Sequence, residues 1–271
     1  MLKGMDQPQQ KTLIFIPCYN CASQVDRVLQ GLGPVVAKNS MLRLLLVDNQ
    51  SQDATVEVAR LAAERLGLKD RIWIVRNTEN YGLGGSHKVA FSFAAENNYT
   101  YLGVFHGDGQ ALSADLENIL NDREIYPRQT LLGSRFSKGS VLKGYSIVRV
   151  LGNRVLGLLY SIALRKKIDD LGSGLNLFYL ADFSLDKVLR FSNDFVFNMD
   201  LTCYMAQKKI PIQFRPQTWI HEDQLSNARL FNVGLRTLEV LWNWLRWGDG
   251  QFKKDSVPRT YSVISAPTNL T

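Results

Sequence analysis

The stretch YLGVFHGDGQ (101–110) is the clearest single indication of the fold. In it, an apolar run typical of a buried strand ends in glycine and polar residues. Similar strand-like runs precede it, and helix-like runs separate them. The strand-like runs are LIFIP (13–17), LRLLLVD (42–48), RIWIV (71–75) and YLGVFH (101–106); the helix-like runs are 22–38, 53–66, 85–97 and 113–122. This alternation predicts an α/β fold with a central, mostly parallel sheet flanked by helices.

The alternation of strand-like and helix-like runs ends after residue 133. A strand-like run covers 174–180, and a helix is expected near 228–247. We predict a flexible N-terminal tail over 1–11, one α/β domain over 12–230, a Trp-rich amphipathic helix over 231–250 and a tail rich in Ser, Thr and Pro over 251–271. That helix holds three of the five tryptophans, which favours either an anchor at a bilayer interface or a buried helix or dimer contact.

The composition excludes several classes of protein. Of the 271 residues, 45% are apolar and 21% charged, so the chain can bury a large core and is neither disordered nor fibrous. The net charge is +7, and residues 135–167 contribute eight Lys and Arg without one Asp or Glu. These cations alternate with aliphatic residues, which favours an anionic membrane surface over nucleic acid as the partner.

The expected location is cytoplasmic, peripheral on the cytosolic face of a membrane. No uncharged stretch approaches the roughly 18 apolar residues of a membrane-spanning helix, and the N-terminus lacks a basic-then-apolar signal peptide. A membrane protein or a second copy of the chain is a further expected partner. Three cysteines, an odd number, argue against a disulfide framework.

Two short motifs suggest redox or nicotinamide chemistry and are set aside. Cys18 and Cys21 form C-x-x-C after a strand, but a thioredoxin-like domain is far shorter than this chain, so we interpret them as small residues in a turn. Gly82-Leu83-Gly84-Gly85 resembles a dinucleotide fingerprint, but His87 replaces the third glycine and the cluster follows the third strand.

Polar residues follow each of the first four predicted strands. They are Pro17-Cys18-Tyr19-Asn20, Asp48-Asn49-Gln50-Ser51-Gln52-Asp53, Asn80-Tyr81-Gly82 and His106-Gly107-Asp108-Gly109-Gln110. Each cluster alone is typical of a turn or a helix N-cap. Because the carboxyl ends of parallel strands meet at one edge of the sheet, where open α/β sheets bind ligands, the ordered series predicts a binding site there.

The order of these strings resembles family 2 glycosyltransferases with a GT-A fold, whose usual strings are close to P-x-Y-N-E, V-D-D-x-S-x-D-x-T, N-x-G and D-x-D-G-Q. Here they stand as PCYNC, VDNQSQDAT, NYG and HGDGQ. Gly133-Ser134-Arg135, Asp170-Leu171-Gly172-Ser173-Gly174 and Ile210-Pro211-Ile212 resemble elements of the polyprenyl-phosphate branch, the dolichol-phosphate mannose synthase-like enzymes. The resemblance extends from about Thr12 to about Leu230.

The resemblance implies a binding site for a nucleotide-diphosphate sugar and a divalent metal, Mg²⁺ or Mn²⁺. The implied nucleotide-binding residues are Pro17, Tyr19, Asn20, Asp48, Asn49, Asn80 and Gly84. Asp108 is the implied metal ligand and central catalytic residue, with Gln110 and His106 assisting. Cys21, Asn49 and His106 replace acidic residues of the family strings. Because histidine in place of aspartate at 106 keeps a possible ligand but removes a negative charge, a more weakly held metal is expected.

The resemblance also implies a site for an acceptor phosphate. Arg135 and Arg149 are expected to grip it, with Asn153 one helical turn further along. A solvated basic face is the alternative interpretation of these cations. A sugar-hydroxyl acceptor would instead need a carboxylate base, for which Asp200 and then Asp170 are the candidates, and each is alternatively a structural carboxylate.

The expected function is therefore inverting transfer of a sugar from a nucleotide donor to a polyprenyl (dolichyl or undecaprenyl) phosphate. One alternative keeps the fold and donor but uses the hydroxyl of a saccharide or lipid-linked saccharide as acceptor. An alternative of another class is a non-catalytic nucleotide-sugar-binding protein, suggested by Asn49 and His106.

Overall fold

A computed structural model describes residues 10–220, 230–252 and 259–268. Most of the predicted N-terminal tail and part of the predicted C-terminal tail lie outside these residues. The strands are β1 (Thr12–Cys18), β2 (Leu42–Asp48), β3 (Ile72–Asn77), β4 (Tyr101–Phe105), β5 (Thr130–Ser134), β6 (Val141–Lys143), β7 (Leu175–Tyr179), β8 (Ile212–Pro216), β9 (Thr218–Ile220) and β10 (Tyr261–Ser265). The helices are α1 (Ala22–Lys38), α2 (Thr55–Arg65), α3 (Gly82–Glu96), α4 (Ser113–Ile125), α5 (Ile147–Leu164), α6 (Leu185–Val188), α7 (Phe197–Gln207) and α8 (Leu230–Trp247).

Among the residues that the structure describes, eight strands form the central sheet in the order β10-β3-β2-β1-β4-β7-β5-β8. β1 pairs in parallel with β2 and β4, and β2 pairs in parallel with β3, as the βαβ pattern predicts. β7 is antiparallel to both β4 and β5, and β10 is antiparallel to β3. The order runs outward from β1 in both directions, which leaves a crevice at the carboxyl ends of β1 and β4.

Alternate residues of β1 enter the two halves of the core, because side chains along a strand point to opposite faces. Leu13 and Phe15 pack with α3, α5, α7 and α8, whereas Ile14 and Ile16 pack with α1, α2 and α4. The prediction of a mostly parallel sheet flanked by helices is confirmed, and the predicted helix 22–38 coincides with α1.

The C-terminal segment corrects the prediction of a tail over 251–271. Tyr261–Ser265 forms β10 and completes the sheet beside β3. Its Tyr261 ring lies 6.5 Å from the Phe93 ring of α3. The Ser-, Thr- and Pro-rich composition suggested a tail, but an unpaired edge at β3 offers hydrogen-bond partners that a short alternating segment can use.

Helix α8 joins the main core instead of standing apart, so the predicted domain boundary at 230 does not separate two packing units. Tyr160 Oη of α5 donates a hydrogen bond of 2.6 Å to the Thr237 carbonyl of α8. Val240, Leu241 and Trp244 of α8 are buried in the same half of the core as α3 and α7.

Helix α5 lies mainly on the surface. Within the described ranges, it is the one helix whose 18 residues and mean hydropathy of 1.5 suit a membrane crossing by length and composition. It includes Arg149 and Arg154, and only 11% of it is buried. Exposed aliphatic side chains therefore cover most of a helix that stands beside α8.

Candidate active site

A cavity of about 760 Å³ opens at the carboxyl ends of β1, β2, β3 and β4, where the sequence predicts ligand binding. Seven of the predicted residues line it: Pro17, Tyr19, Asn20, Asn49, Asn80, His106 and Asp108. A depression of about 850 Å³ lies at the opposite sheet edge, around Thr12, Leu42 and Arg123. Because the amino ends of parallel strands converge there, we assign the functional site to the first cavity.

The turn between β1 and α1 forms one wall of this cavity. Asn20 adopts a left-handed conformation with φ of 50°. Its backbone N–H donates to Ser51 Oγ at 2.9 Å, and its side-chain Oδ1 accepts from the Gln52 backbone N–H at 2.8 Å. The segment that follows β2 therefore holds the turn and the start of α1 in place.

An asparagine network forms the adjacent wall. Asn49 Nδ2 donates to Asn80 Oδ1 at 2.7 Å, and Asn49 Oδ1 accepts from Asn77 Nδ2 and from the Tyr81 backbone N–H, each at 2.9 Å. Asn77 also contacts Ser86 Oγ at 3.1 Å. Asn49 therefore orders the loop that begins α3.

Asp48 and Gly84, both predicted to touch nucleotide, do not line the cavity. Asp48 is fully buried and accepts from the Ser51 backbone N–H, with Arg76 Nε 3.2 Å from its Oδ2. At Gly84 an added Cβ would lie 2.3 Å from the Ser192 carbonyl oxygen. These two residues shape the walls by holding a loop and by allowing close packing.

His106 and Asp108 converge where β4 ends. His106 Nδ1 lies 3.7 Å from Asp108 Oδ2. The other ring nitrogen, Nε2, is buried without a hydrogen-bond partner in the described structure, and the ring packs against Gly174. Gly174 has φ of 69°, and a Cβ there would lie 3.1 Å from His106 Nε2. This contact directs the Nδ1 edge of the ring toward Asp108.

Gln110 was predicted as a metal ligand, but it does not line the cavity. Its backbone N–H donates to Asp108 Oδ1 at 3.1 Å, and its carbonyl accepts from the Ile220 N–H at 2.9 Å. Gln110 therefore positions Asp108 through its main chain, because the loop is tied to β9.

The donors at the end of β4 suit a divalent ion that the ligand helps to hold. An imidazole and a carboxylate match Mn²⁺ or Mg²⁺ when further oxygen ligands complete the coordination. The described residues contain no cluster of three or more His, Cys, Asp and Glu side chains with metal-binding geometry. Protein groups alone therefore supply an incomplete set, which phosphate oxygens and water can complete.

Arg135 and Asp170 form a buried ion pair. Arg135 Nε donates to Asp170 Oδ2 at 2.8 Å and Nη2 to Oδ1 at 2.7 Å, and the Arg135 backbone N–H adds a third bond of 2.9 Å. Burial disfavours the guanidinium charge, but Asp170 outweighs that effect and raises the pKa of Arg135. Asp170 is thus occupied with Arg135, which favours its structural interpretation over that of a general base.

Tyr145, which the sequence reasoning missed, connects two of the three predicted acceptor residues, Arg135 and Asn153. Its hydroxyl accepts from Arg135 Nη1 at 3.2 Å and from Asn153 Nδ2 at 3.0 Å. Asn153 Nδ2 also donates to the Arg149 carbonyl at 2.8 Å. The sequence did contain a signal for Tyr145, because this tyrosine lies between the Gly133-Ser134-Arg135 string and the start of α5.

The loop over residues 170–174, which follows α5, links Arg135 to the cavity. At Gly172 a Cβ would lie 3.9 Å from Arg135 Nη2, and two residues later Gly174 packs on His106. Trp219 supports the same connection, because its ring lies 5.2 Å from the Arg135 guanidinium and its backbone bridges to Ala111. Arg135 and the His106–Asp108 pair are therefore neighbours on either side of this loop.

Asp200, predicted as a candidate catalytic base, is engaged in contacts within the core. It is buried in α7, and its oxygens accept from the Ser192 backbone N–H and from Trp244 Nε1, each at 2.9 Å. Burial raises the pKa of this carboxyl above its ordinary value. Asp200 anchors α8, which is the structural alternative for this residue.

Several other cavity residues were not among the predicted nucleotide-binding or metal-binding residues. Cys18, Cys21, Ser23, Gln24, Leu83 and Ser86 also line the cavity. Their sequence positions carry a partial signal, because each lies in the first turns of α1 or α3 or just before, at the edge where strands β1 and β3 end.

The chain matches a known protein family. A model of glycosyl transferase family 2 matches residues 13–183. The chain therefore belongs to that family and is a glycosyltransferase that uses nucleotide-sugar donors. No curated protein sequence matches this chain.

Solved structures share its fold. Mannosyl-3-phosphoglycerate synthase from Rubrobacter xylanophilus is 14% identical with a TM-score of 0.64, over 92% of this chain and 79% of that one. Glucosyl-3-phosphoglycerate synthase from Mycobacterium tuberculosis, solved with UDP, is 12% identical with a TM-score of 0.63, over 95% and 88%. The same enzyme with Mn²⁺, UDP and glucosyl-3-phosphoglycerate gives 13% and 0.60, over 97% and 89%. The fold is thus that of GT-A glycosyltransferases, as the sequence resemblance implied.

Proposed function

We propose that this enzyme transfers a sugar, with inversion, from a nucleotide diphosphate to a polyprenyl phosphate at the cytosolic face of a membrane. The observation that carries the proposal is the proximity of the His106–Asp108 pair to the Arg135 cluster, through the 170–174 loop. The donor and an anionic acceptor can therefore meet at one edge of the sheet.

The nucleotide occupies the cavity at the ends of β1 to β4. Pro17, Tyr19 and Asn20 form one side for the base and ribose, and the Asn49–Asn80 pair forms the other. Asp108 and His106 would hold the divalent ion together with the diphosphate. When bound, the ion stabilises the negative charge that develops on the leaving diphosphate. Mn²⁺ and UDP in the mycobacterial enzyme support this assignment.

The acceptor phosphate approaches the cluster that Tyr145 organises. Arg149 lies on the first turn of α5, and Asn153 and Arg135 share the Tyr145 hydroxyl. A phosphate oxygen is already ionised near neutral pH, so its attack on the anomeric carbon needs no carboxylate base. The new carbon–oxygen bond forms as the bond to the diphosphate breaks. The engagement of Asp170 and Asp200 in structural contacts fits this requirement.

The outer faces of α5 and α8 supply the surface for the lipid. Side chains exposed there include Leu151, Val155, Leu158 and Ile162 of α5 and Leu235, Trp242 and Leu245 of α8. The two helices pack side by side, and the acid-free segment 135–167 contains α5. An apolar surface bordered by cations favours contact with an anionic bilayer.

The second candidate is transfer to the hydroxyl of a soluble, phosphorylated acceptor. It is supported by the similar solved structures, which are those of mannosyl- and glucosyl-3-phosphoglycerate synthases. These structures align with nearly all of this chain. In this alternative the Arg135 cluster binds the acceptor's anionic groups, and the apolar faces of α5 and α8 have another role.

A binding and transfer experiment tests both steps. We expect Asp108→Asn to weaken Mn²⁺-dependent binding of UDP or GDP by about 10²-fold, because it removes the carboxylate near the diphosphate. Asp186→Asn, in the short helix α6, is the matched control. Arg149→Ala should abolish transfer to polyprenyl phosphate while nucleotide binding persists, whereas Arg60→Ala, on α2, should retain transfer.

The outcomes separate the candidates. Transfer to 3-phosphoglycerate but not to polyprenyl phosphate would replace the first candidate with the second. Failure of the wild-type enzyme to bind either nucleotide would refute the assignment of the donor cavity.

A further inference from the structure

Cys18 and Cys21 place two thiols side by side in the donor cavity. Cys18 is the last residue of β1, and Cys21 is the N-cap of α1. Both line the cavity, and the two side chains are hydrogen-bonded to each other. The backbone of Gly107 lies against both, since a Cβ there would be 2.5 Å from Cys18 Sγ and 3.4 Å from Cys21 Sγ. The sulfurs therefore converge on one point.

The backbone around the pair presents Cys21 as the more nucleophilic thiol. Its N–H donates to Thr55 Oγ1 at 2.9 Å, which holds it at the positive end of α1. Hydrogen bonds from the Cys18 thiol and from Thr55 lower the pKa of Cys21. The hydrogen bond with Cys21, together with burial, raises the pKa of Cys18 well above its ordinary value. Burial likewise raises the pKa of Cys203 in α7, but Cys203 does not line the cavity.

We propose that Cys18 and Cys21 form a reversible disulfide under peroxide, and that this bond weakens nucleotide binding in the cavity that they line. The C-x-x-C spacing, the shared contact with Gly107 and access through the cavity carry this assignment. It gives the transferase a redox-controlled modification site beside its donor.

The oxidation balances with hydrogen peroxide as the oxidant. The Cys21 thiolate attacks one peroxide oxygen, a sulfur–oxygen bond forms, the oxygen–oxygen bond breaks, and the hydroxide released takes up a proton to become water. The Cys18 sulfur then attacks the Cys21 sulfenic acid. The sulfur–sulfur bond forms, hydroxide leaves, and the Cys18 proton converts it to a second water. A dithiol such as dithiothreitol reverses the change by thiol–disulfide exchange.

The bond changes the cavity because it shortens the separation of the sulfurs to about 2.05 Å. The side chains of Cys18, at the end of β1, and Cys21, at the N-cap of α1, must shift toward each other, and Tyr19 and Asn20 lie between these residues in the chain. These two residues line the cavity, and Asn20 is bonded to the segment after β2. We expect a loss of UDP affinity of about tenfold, within the usual range of coupling between two sites.

Thermodynamic linkage between UDP binding and disulfide formation supplies a second readout. If the disulfide weakens UDP binding tenfold, saturating UDP must favour the dithiol by the same factor, which raises its reduction potential by about 30 mV. The oxidation itself does not depend on the proposed function, whereas the effect on UDP rests on the donor assignment.

The experiment uses the full chain in four forms: wild type, Cys18→Ser, Cys21→Ser and the control Cys203→Ser. Each is treated with hydrogen peroxide, and intact mass and the number of alkylatable thiols are measured before UDP titration with Mn²⁺. We expect wild type and Cys203→Ser to lose two hydrogen atoms and two reactive thiols, to bind UDP about tenfold more weakly, and to recover with dithiothreitol. The two other variants should form no internal disulfide.

Three results would overturn the proposal. Two are the survival of both thiols after peroxide treatment and irreversible oxidation of Cys21 without a bond to Cys18. The third is a disulfide that leaves UDP affinity unchanged, because it removes the control function. All three are measured on wild type, so they do not depend on whether a substituted protein folds. If reduced wild type binds no nucleotide but the disulfide forms, the donor assignment fails and the modification site stands.

Discussion

Individual side chains in this enzyme meet partners that lie far away in the chain. Arg135 and Asp170 were predicted as separate functional groups, but they form a bidentate pair against Tyr145 and Trp219. A buried guanidinium needs such a partner, because desolvation otherwise outweighs any gain from burial. Arg135 therefore presents only part of its hydrogen-bonding capacity to an acceptor, and its planar shape suits both tasks.

His87 shows how burial makes one residue sensitive to pH. It lies in α3, with its ring centroid 5.0 Å from that of Phe15 and 4.9 Å from that of Phe197. Burial is the main cause that lowers its pKa from 6.5 to about 3, despite a hydrogen bond with the Leu83 carbonyl. In the folded enzyme this imidazole is neutral at physiological pH.

We predict that His87 makes the enzyme less stable as pH falls below about 6.5. Between about pH 6.5 and pH 3 the unfolded chain binds a proton that the folded chain excludes, so the stabilising contribution is lost as pH falls. The free energy of unfolding should fall by about 2 kcal/mol more in wild type than in His87→Phe between about pH 7 and pH 5. Urea denaturation at each pH measures the difference, and parallel profiles for the two proteins would contradict it.

At the scale of elements, the tryptophans of α8 divide between two environments. Trp244 is buried against Phe191 and Phe252 and donates its Nε1 hydrogen to Asp200. Trp242 and Trp247 are exposed. One face of the helix is therefore part of the core, as the buried-helix interpretation expects, and the other face is exposed.

We predict that the exposed face of α5 and α8 binds anionic vesicles. Leu158→Glu or Trp242→Glu should weaken binding to vesicles with about one third phosphatidylserine by roughly tenfold, because each removes apolar burial and adds repulsion. Leu61→Glu is the matched control, since Leu61 is 50% exposed on α2 while Leu158 and Trp242 are 59% and 64% exposed. Cosedimentation measures the effect. Equal losses in all three variants would exclude a specific face.

Over the whole molecule, the C-terminal segment closes the edge of the sheet and reaches the rim of the donor cavity. β10 pairs with β3, and the Thr260 N–H donates to Tyr81 Oη at 3.2 Å. Arg259 Nη2 donates to Asn193 Oδ1 at 2.9 Å. The last strand in sequence therefore supports the loop at the start of α3.

We predict that truncation after Phe252 lowers the melting temperature by about 5 °C, because the truncated chain loses β10 and exposes the edge of β3. Truncation after Thr268, which keeps β10, is the control. Differential scanning calorimetry measures both. Identical melting temperatures for the two truncated proteins would show that β10 contributes nothing to stability.

Much of the donor half was predictable because its signals are local. The strand runs, the helices between them and the polar clusters at their ends follow from periodicity over ten to twenty residues. Parallel pairing then brings those ends to one edge, so Pro17, Asn49, Asn80 and Asp108 meet there. Asp48 lies in one of these clusters and Gly84 just beyond another, but Asp48 is buried and Gly84 packs against the Ser192 carbonyl, so neither lines the cavity.

The α/β class, the mostly parallel sheet and the edge where polar residues gather could thus be predicted from the amino-acid sequence alone, since apolar periodicity and chain connectivity indicate them. The order of the strands, with β7 and β10 antiparallel to their neighbours, depended on tertiary structure. The partners of buried charges depended on tertiary structure: Arg135 with Asp170, and Asp200 with Trp244. So did the strand at Tyr261–Ser265 and the position of the Cys18 and Cys21 thiols side by side in the cavity. The physical reason is that contacts between distant segments are selected by packing and desolvation in the assembled core, which local patterns do not specify.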